Sequence, residues 1–173
     1  EETGAAQHYR DARITPIYEG ANGVQAMDLL GRKLVRDGGA AAREFIEWAR
    51  QTLEPLKASG SADLAVVERH LSSALDALAQ ATEWQVATFG ANPAQAAAGS
   101  VPYLKLMGIT AGGWMLARSA LVAQKKAANA NGDARFLAAF PPISMEIYIP
   151  SLPAIEADLH TTGTLFALAD AHK

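Results

Sequence analysis

The chain has 173 residues, 50% of them hydrophobic and 19% charged, which is one domain by length or two small ones and excludes a wholly disordered protein. Fifteen Lys and Arg stand against 18 Asp and Glu, a net charge of -3, so no basic excess is present to neutralise phosphates and nucleic-acid binding is not expected. Cysteine is absent, which removes disulfides, thiolate nucleophiles and Cys-ligated metal clusters and suits a cytoplasmic protein.

The opening Glu1-Glu2-Thr3-Gly4-Ala5-Ala6 lacks the basic-then-apolar run of a signal peptide and reads as a start within a domain. Residues 3–12 read as the end of a helix, which Pro16 cannot continue, so Ile14 to Ala21 is a connecting loop. Asn22 is a candidate N-cap, and Val24, Met27, Leu30 and Leu34 then recur at helical spacing until Gly38-Gly39. Phe45, Ile46, Ala49 and Leu53 continue the pattern, and Pro55 should kink or close that helix. Ser61 is the next N-cap. Leu64, Val67, Leu71, Leu75, Leu78, Thr82, Val86 and Phe89 form one apolar stripe, with Asp63, Glu68, Arg69, Asp76 and Glu83 off it. Asn92-Pro93 restarts a helix with Pro93 near its first turn, disturbed near Pro102 and ending near Ala128.

These signals predict an all-α chain: a bundle of antiparallel helices joined by short loops, with the main helices over 23–37, 40–57, 62–89 and 93–128. From Pro141 the texture changes to an irregular Pro-rich segment, with a short strand-like run at Glu146 to Ile149. Val101 to Ala123 is the longest apolar candidate for a membrane span. Lys105 and Arg118 interrupt it, so the reading is a core helix and no membrane contact. The GxxxG spacing of Gly108 and Gly112 then serves close helix packing.

Little of the chain carries chemistry. His8, His70, His160 and His172 stand in no ligand spacing, so no metal site is expected, and no nucleophile elbow or phosphate loop is present. Trp48, Trp84 and Trp114 read as anchors between helices, and Lys125-Lys126 as a helix-end charge pair. One loop differs: Tyr18-Glu19-Gly20-Ala21-Asn22-Gly23. Its glycines would let a planar ligand approach the backbone. A desolvated Glu19 would have a raised pKa and could serve as a base, whereas a lone Glu in a turn is more often simply solvated.

The stretch Arg10-Asp11-Ala12-Arg13-Ile14-Thr15-Pro16-Ile17-Tyr18-Glu19-Gly20-Ala21-Asn22-Gly23-Val24-Gln25 resembles the acyl-CoA dehydrogenase pattern R-D-A-R/K-I-x-x-I-Y-E-G-T-x-x-I-Q. That family comprises dimeric or tetrameric flavoproteins with an N-terminal helical domain, a middle β-domain and a C-terminal helical bundle. By that resemblance Glu19 is the catalytic base that removes the α-proton of an acyl-CoA. Tyr18 and Gly20 meet the substrate, and Ala21, Asn22 and Gly23 lie against FAD. The family usually has Thr where this sequence has Ala21, so a hydroxyl contact near the flavin is missing. The resemblance also implies an electron-transfer acceptor protein and a homo-oligomer.

Val101-Pro102-Tyr103-Leu104, Gly112-Gly113-Trp114 and Ala117 are similar to the C-terminal helical extension of the larger bacterial members, the 3-methylmercaptopropionyl-CoA dehydrogenase-like group. Arg135-Phe136 and Leu165-Phe166-Ala167-Leu168 fit the end of that extension. The implied division is 1–37 as the end of the catalytic bundle, 38–140 as the extension and 141–173 as a tail. Within the tail, Ile147 to Ile155 is similar to the first membrane-helix region of bacterial drug-efflux transporters and is read as a chance likeness or a junction. The rival to the enzyme reading is a non-catalytic helical interaction module.

Overall fold

A computed structural model of the chain describes residues 5–18 and 21–128. Among these residues every regular element is helical, as the periodicity predicts. The elements are α1 (Ala5–Ala12), a 3₁₀ turn (Thr15–Tyr18), α2 (Asn22–Asp28), a π-helix (Leu29–Leu34), α3 (Ala40–Arg50), α4 (Leu53–Lys57), α5 (Ala62–Ala91), α6 (Pro93–Ala98) and α7 (Ser100–Ala128). The readings of residues 129–173, including the strand-like run and the efflux-like segment, lie outside the described residues.

The longest helix, α5, is the spine. Its stripe is buried from Leu64 through Val67, Leu71, Leu75 and Leu78 to Thr82, while Val86 and Phe89 are partly covered. Ser61 caps it as expected, its hydroxyl accepting from the Leu64 amide at 3.4 Å. The α3–α4 pair runs antiparallel to α5, and three ion pairs mark the register: Arg43–Glu83, Arg50–Asp76 and Lys57–Glu68. Helix α7 also runs antiparallel to α5. The Tyr103 hydroxyl lies 2.9 Å from Thr82 Oγ1, and Gln124 donates to the Ser59 carbonyl beside the start of α5 at 3.1 Å. Thr82 spends its own proton on the Leu78 carbonyl at 2.8 Å, so the buried Tyr103 phenol is the donor between them.

Helix boundaries differ from the sequence reading at three places. The 40–57 helix is two helices, α3 and α4, because Pro55 has no amide for the Gln51 carbonyl; the preceding turn tightens instead, with Gln51 bonding back to Trp48 and Thr52 to Ala49. The 93–128 helix is two helices, α6 and α7, and the expected disturbance near Pro102 is a break at Gly99: Pro102 has no amide for the Ala98 carbonyl and sits in the first turn of α7, where that is tolerated. The 23–37 helix is α2 followed by the π-helix. Its end is as expected: Gly38 N–H bonds the Val35 carbonyl, Gly39 N–H bonds the Leu34 carbonyl, and Gly38 takes a φ of +64°, which forms a Schellman closure.

Helix α7 is long and apolar enough to cross a membrane by length and composition, charges notwithstanding. Its Tyr103, Leu106, Thr110, Trp114, Ala117 and Ala120 are nonetheless buried, five of them within the same core as the α5 stripe. Gly108 and Gly112 do not form the expected close helix contact: both are exposed, and a Cβ on either meets no atom within 4 Å. Of the three tryptophans, Trp114 is a buried anchor, but Trp48 is 53% exposed.

Candidate functional site

The candidate loop is approached through an arm that buries none of its own side chains in α1. Helix α1 closes on Arg13 and Ile14, whose amides bond back to Tyr9, Arg10 and Asp11 carbonyls. Thr15 then donates its hydroxyl to the Ala12 carbonyl at 2.8 Å and Ile17 N–H bonds the Ile14 carbonyl at 3.0 Å, so Pro16 sits inside a 3₁₀ turn and not in an open loop. Tyr18 ends that turn. Glu19 and Gly20 lie outside the described residues. Ala21 resumes the chain as the residue before α2, with φ −86° and ψ 2°, and its carbonyl accepts from Gln25 N–H at 2.9 Å.

Asn22, expected as the cap, is instead the first helical residue, and Ala21 occupies the capping position without a side chain that can accept. The capping position of α2 therefore makes no side-chain hydrogen bond to the first turn. Gly23 is exposed and a Cβ there would meet no atom within 4 Å. Ala21 to Gly23, read from the sequence as the flavin-facing residues, thus lie at the start of α2, with open space beside Gly23.

From this turn the chain runs inward. Ala26 is buried, and Met27 Sδ accepts a hydrogen bond from the buried Ser100 hydroxyl of α7 at 3.7 Å. Asp28 pairs with Arg32 at 2.9 Å. Leu30 and Leu34 enter the common core beside Tyr103 and Leu106. Between them Val35 N–H bonds the Leu30 carbonyl at 2.9 Å, five residues back. Sequence reading missed this π segment because its apolar spacing is the same as that of an α-helix.

The outer surface of this arm carries exposed apolar side chains among exposed polar and charged ones such as Gln7, Arg10 and Asp11. Tyr9, Ile14, Ile17, Val24 and Met27 are all exposed, Ile17 by 75%. A second apolar feature is a groove of about 560 Å³ between α3–α4 and α7, lined by Trp48, Thr52, Met115, Arg118, Val122 and Lys125 among others. The Arg118 guanidinium lies 4.8 Å over the Trp114 ring, and Trp48 meets Trp114 at 4.6 Å between centroids. Among the described residues no group of three or more His, Asp or Glu side chains is placed to hold a metal.

A family model described as acetyl-CoA dehydrogenase C-terminal like matches residues 40–140, from the first residue of α3 through α7. The chain belongs to this acyl-CoA dehydrogenase C-terminal family. It is 50% identical over 139 residues to 3-methylmercaptopropionyl-CoA dehydrogenase of Ruegeria pomeroyi, covering 80% of this chain and 23% of that protein. It is 32% identical over 142 residues to the broad-specificity linear acyl-CoA dehydrogenase FadE5 of Mycobacterium tuberculosis, covering 75% of this chain and 22% of that protein. The chain therefore spans less than a quarter of the length of the curated relatives it matches.

Proposed function

We propose that this chain is the C-terminal part of a cytoplasmic, FAD-dependent acyl-CoA dehydrogenase that introduces an α,β double bond into a linear acyl-CoA. The observation that supports it most is the 50% identity across four-fifths of the chain to an enzyme named for that reaction class. The residues of 1–37 carry the catalytic loop, and 38–140 are the C-terminal extension, helical over its described residues to 128.

Glu19 is the general base. It stands one residue after the 3₁₀ turn and three before α2. The α-hydrogen of a thioester is only weakly acidic, so its carboxylate must be held against it with a pKa raised by desolvation. Tyr18 and Gly20 flank the thioester, Gly20 allowing close approach of the backbone. Ala21, Asn22 and Gly23 offer the flat, open surface on which the ring system rests. The bound flavin supplies the acceptor for the β-hydrogen. The exposed apolar arm from Tyr9 to Met27 meets the remainder of the polypeptide, which excludes water from the reacting carbons. The reduced enzyme passes its electrons to an acceptor protein, and the assembly is a homo-oligomer.

The other reading is a non-catalytic helical interaction module, favoured by the exposed Trp48, Met115 and Val122 along the α7 groove. Anaerobic stopped-flow reduction of the flavoprotein by a linear acyl-CoA separates the two. Under the enzyme reading Glu19→Gln leaves acyl-CoA binding within several-fold and slows flavin bleaching at least ~100-fold, the scale of a lost general base. Bleaching at the unaltered rate would leave the chain a structural bundle.

A further inference from the structure

Aromatic rings line the groove between α3–α4 and α7. Trp114 meets Trp48 there at 4.6 Å between centroids, edge-on, and Phe45 packs on Trp114 at 5.7 Å. Trp48, Met115 and Val122 line the groove and are each about half exposed. An indole, a thioether and a valine exposed side by side mark a face that meets something. Arg118 and Lys125 also line it, and among the described residues no carboxylate does. On α7 the lining runs from Trp114 to Lys125, about 16 Å of helix, and the helix ends soon after, at Ala128.

The family match continues past that point. It runs over residues 40–140, so 129–140 belong to the same unit as α3 to α7. This stretch carries Phe136, Leu137 and Phe140 and the carboxylate Asp133, and Pro141-Pro142 follow it directly. Phe136 and Phe140 are four positions apart, which puts them on one side of the segment whether the chain is coiled or extended. We propose that the groove is the seat of this segment. Phe136 and Phe140 lie against Trp48, Met115 and Val122, and Asp133 comes in beside Lys125. The chain has the reach: residues 129–132 span up to about 13 Å, more than the roughly 8–10 Å between packed helices. Residues 133–140 then cover about 12 Å even when fully coiled, most of the length of the groove. Rings added edge-on to the Trp48–Trp114 pair take the geometry aromatic side chains favour, and the carboxylate of the segment meets the cationic end of the groove. The inference is independent of the role of Glu19. It also covers the exposed face that favours the interaction-module reading.

The test is NMR on the isotope-labelled 173-residue chain. Through-space cross-peaks are expected between the Trp48 indole or Val122 methyl protons and the ring protons of Phe136 or Phe140, unchanged on dilution. A mixture of labelled and unlabelled chains is expected to show none between molecules. Assigned rings that meet neither Trp48 nor Val122 overturn the proposal and leave the groove open to a partner. Cross-peaks that occur only between molecules also overturn it, in favour of a second copy of the chain. The second arm is the double variant Phe136→Asp, Phe140→Asp. Loss of the covering rings is expected to shift the Trp48 and Val122 signals and to leave those of the buried pair Tyr103 and Thr82 in place. Trp48 and Val122 signals identical in parent and double variant overturn the assignment. If the double variant does not fold, the cross-peaks of the parent decide alone. Neither arm reads flavin reduction, so failure here leaves the dehydrogenase reading standing, and failure of Glu19→Gln to slow reduction leaves this proposal standing.

Discussion

The indole N–H of Trp114 ends on the hydroxyl oxygen of Thr52, 2.9 Å away and 62 positions earlier in the chain. Both residues are buried, and the bond fastens α7 to the break between α3 and α4. Thr52→Val keeps the shape and leaves the indole donor without a partner, at a cost of about 1–3 kcal/mol. Urea unfolding of Thr52→Val against the parent, read by tryptophan fluorescence and circular dichroism, measures it. An unchanged midpoint would mean that the contact contributes nothing.

Gly99 and Gly112 separate packing from propensity. A Cβ at Gly99 would lie 2.7 Å from the Trp84 ring and 2.8 Å from Gln85 Nε2, so Gly99→Ala overpacks the α5–α6 corner by about 1–3 kcal/mol. A Cβ at Gly112 meets nothing within 4 Å inside a long helix, so Gly112→Ala is expected to stabilise by about 0.5–1 kcal/mol. Thermal unfolding of the pair should move the two midpoints in opposite directions.

Acid should loosen the junction between the π-helix and α3. The Asp37 carboxylate accepts from Ala41, Gly39 and Ala40 amides at 3.0, 2.9 and 3.1 Å, and the Ala41 bond foremost holds its pKa below the ordinary 3.8. Glu83 is held below 4.5, chiefly by its hydrogen bonds to Arg43. A depressed folded pKa means stability that is fully present above the unfolded value and lost as pH falls through the folded one. The melting temperature should therefore fall as pH drops below about 5, and Asp37→Asn should flatten that slope. Melting curves from pH 7 to 3 that are parallel for parent and variant would contradict the assignment.

The isolated 173-residue chain is expected to retain no stoichiometric flavin. A flavin and a thioester need several walls to hold reacting geometry, and the chain spans less than a quarter of its relatives' length. Purification followed by the visible absorption spectrum checks this; a yellow protein with one flavin per chain would overturn it.

Much of the scaffold was legible in the residues. The α5 stripe, the Ser61 cap, the Gly38-Gly39 closure and the Asn92-Pro93 restart are local signals, and each element follows from its own few residues. What escaped depends on neighbours distant in sequence. The wide turn at Leu29–Leu34 buries Leu30 and Leu34 in the core shared with α5 and α7, at a spacing that an α-helix would also have. Trp48 lies exposed because Trp114 and Phe45 already fill the interior place beside it. Thr52 carried a signal that could have been read: it is a lone polar residue among Ala49, Leu53 and Leu56 at core spacing. For the site, motif likeness singled out Tyr18 to Gly23; the structure puts Tyr18 at the end of the 3₁₀ turn and Ala21 to Gly23 at the start of α2, and their roles and that of Glu19 rest on the motif.

The role of Glu19 is tested most directly by exchange of the substrate's α-hydrogen. A linear acyl-CoA is incubated with the full-length flavoprotein in deuterium oxide, and α-deuteration is followed by proton NMR for the parent and for Glu19→Gln. Exchange at the α-carbon catalysed by the parent and slowed at least ~100-fold in the variant is the expected result. Equal exchange by both proteins would contradict the assignment of Glu19 as the base.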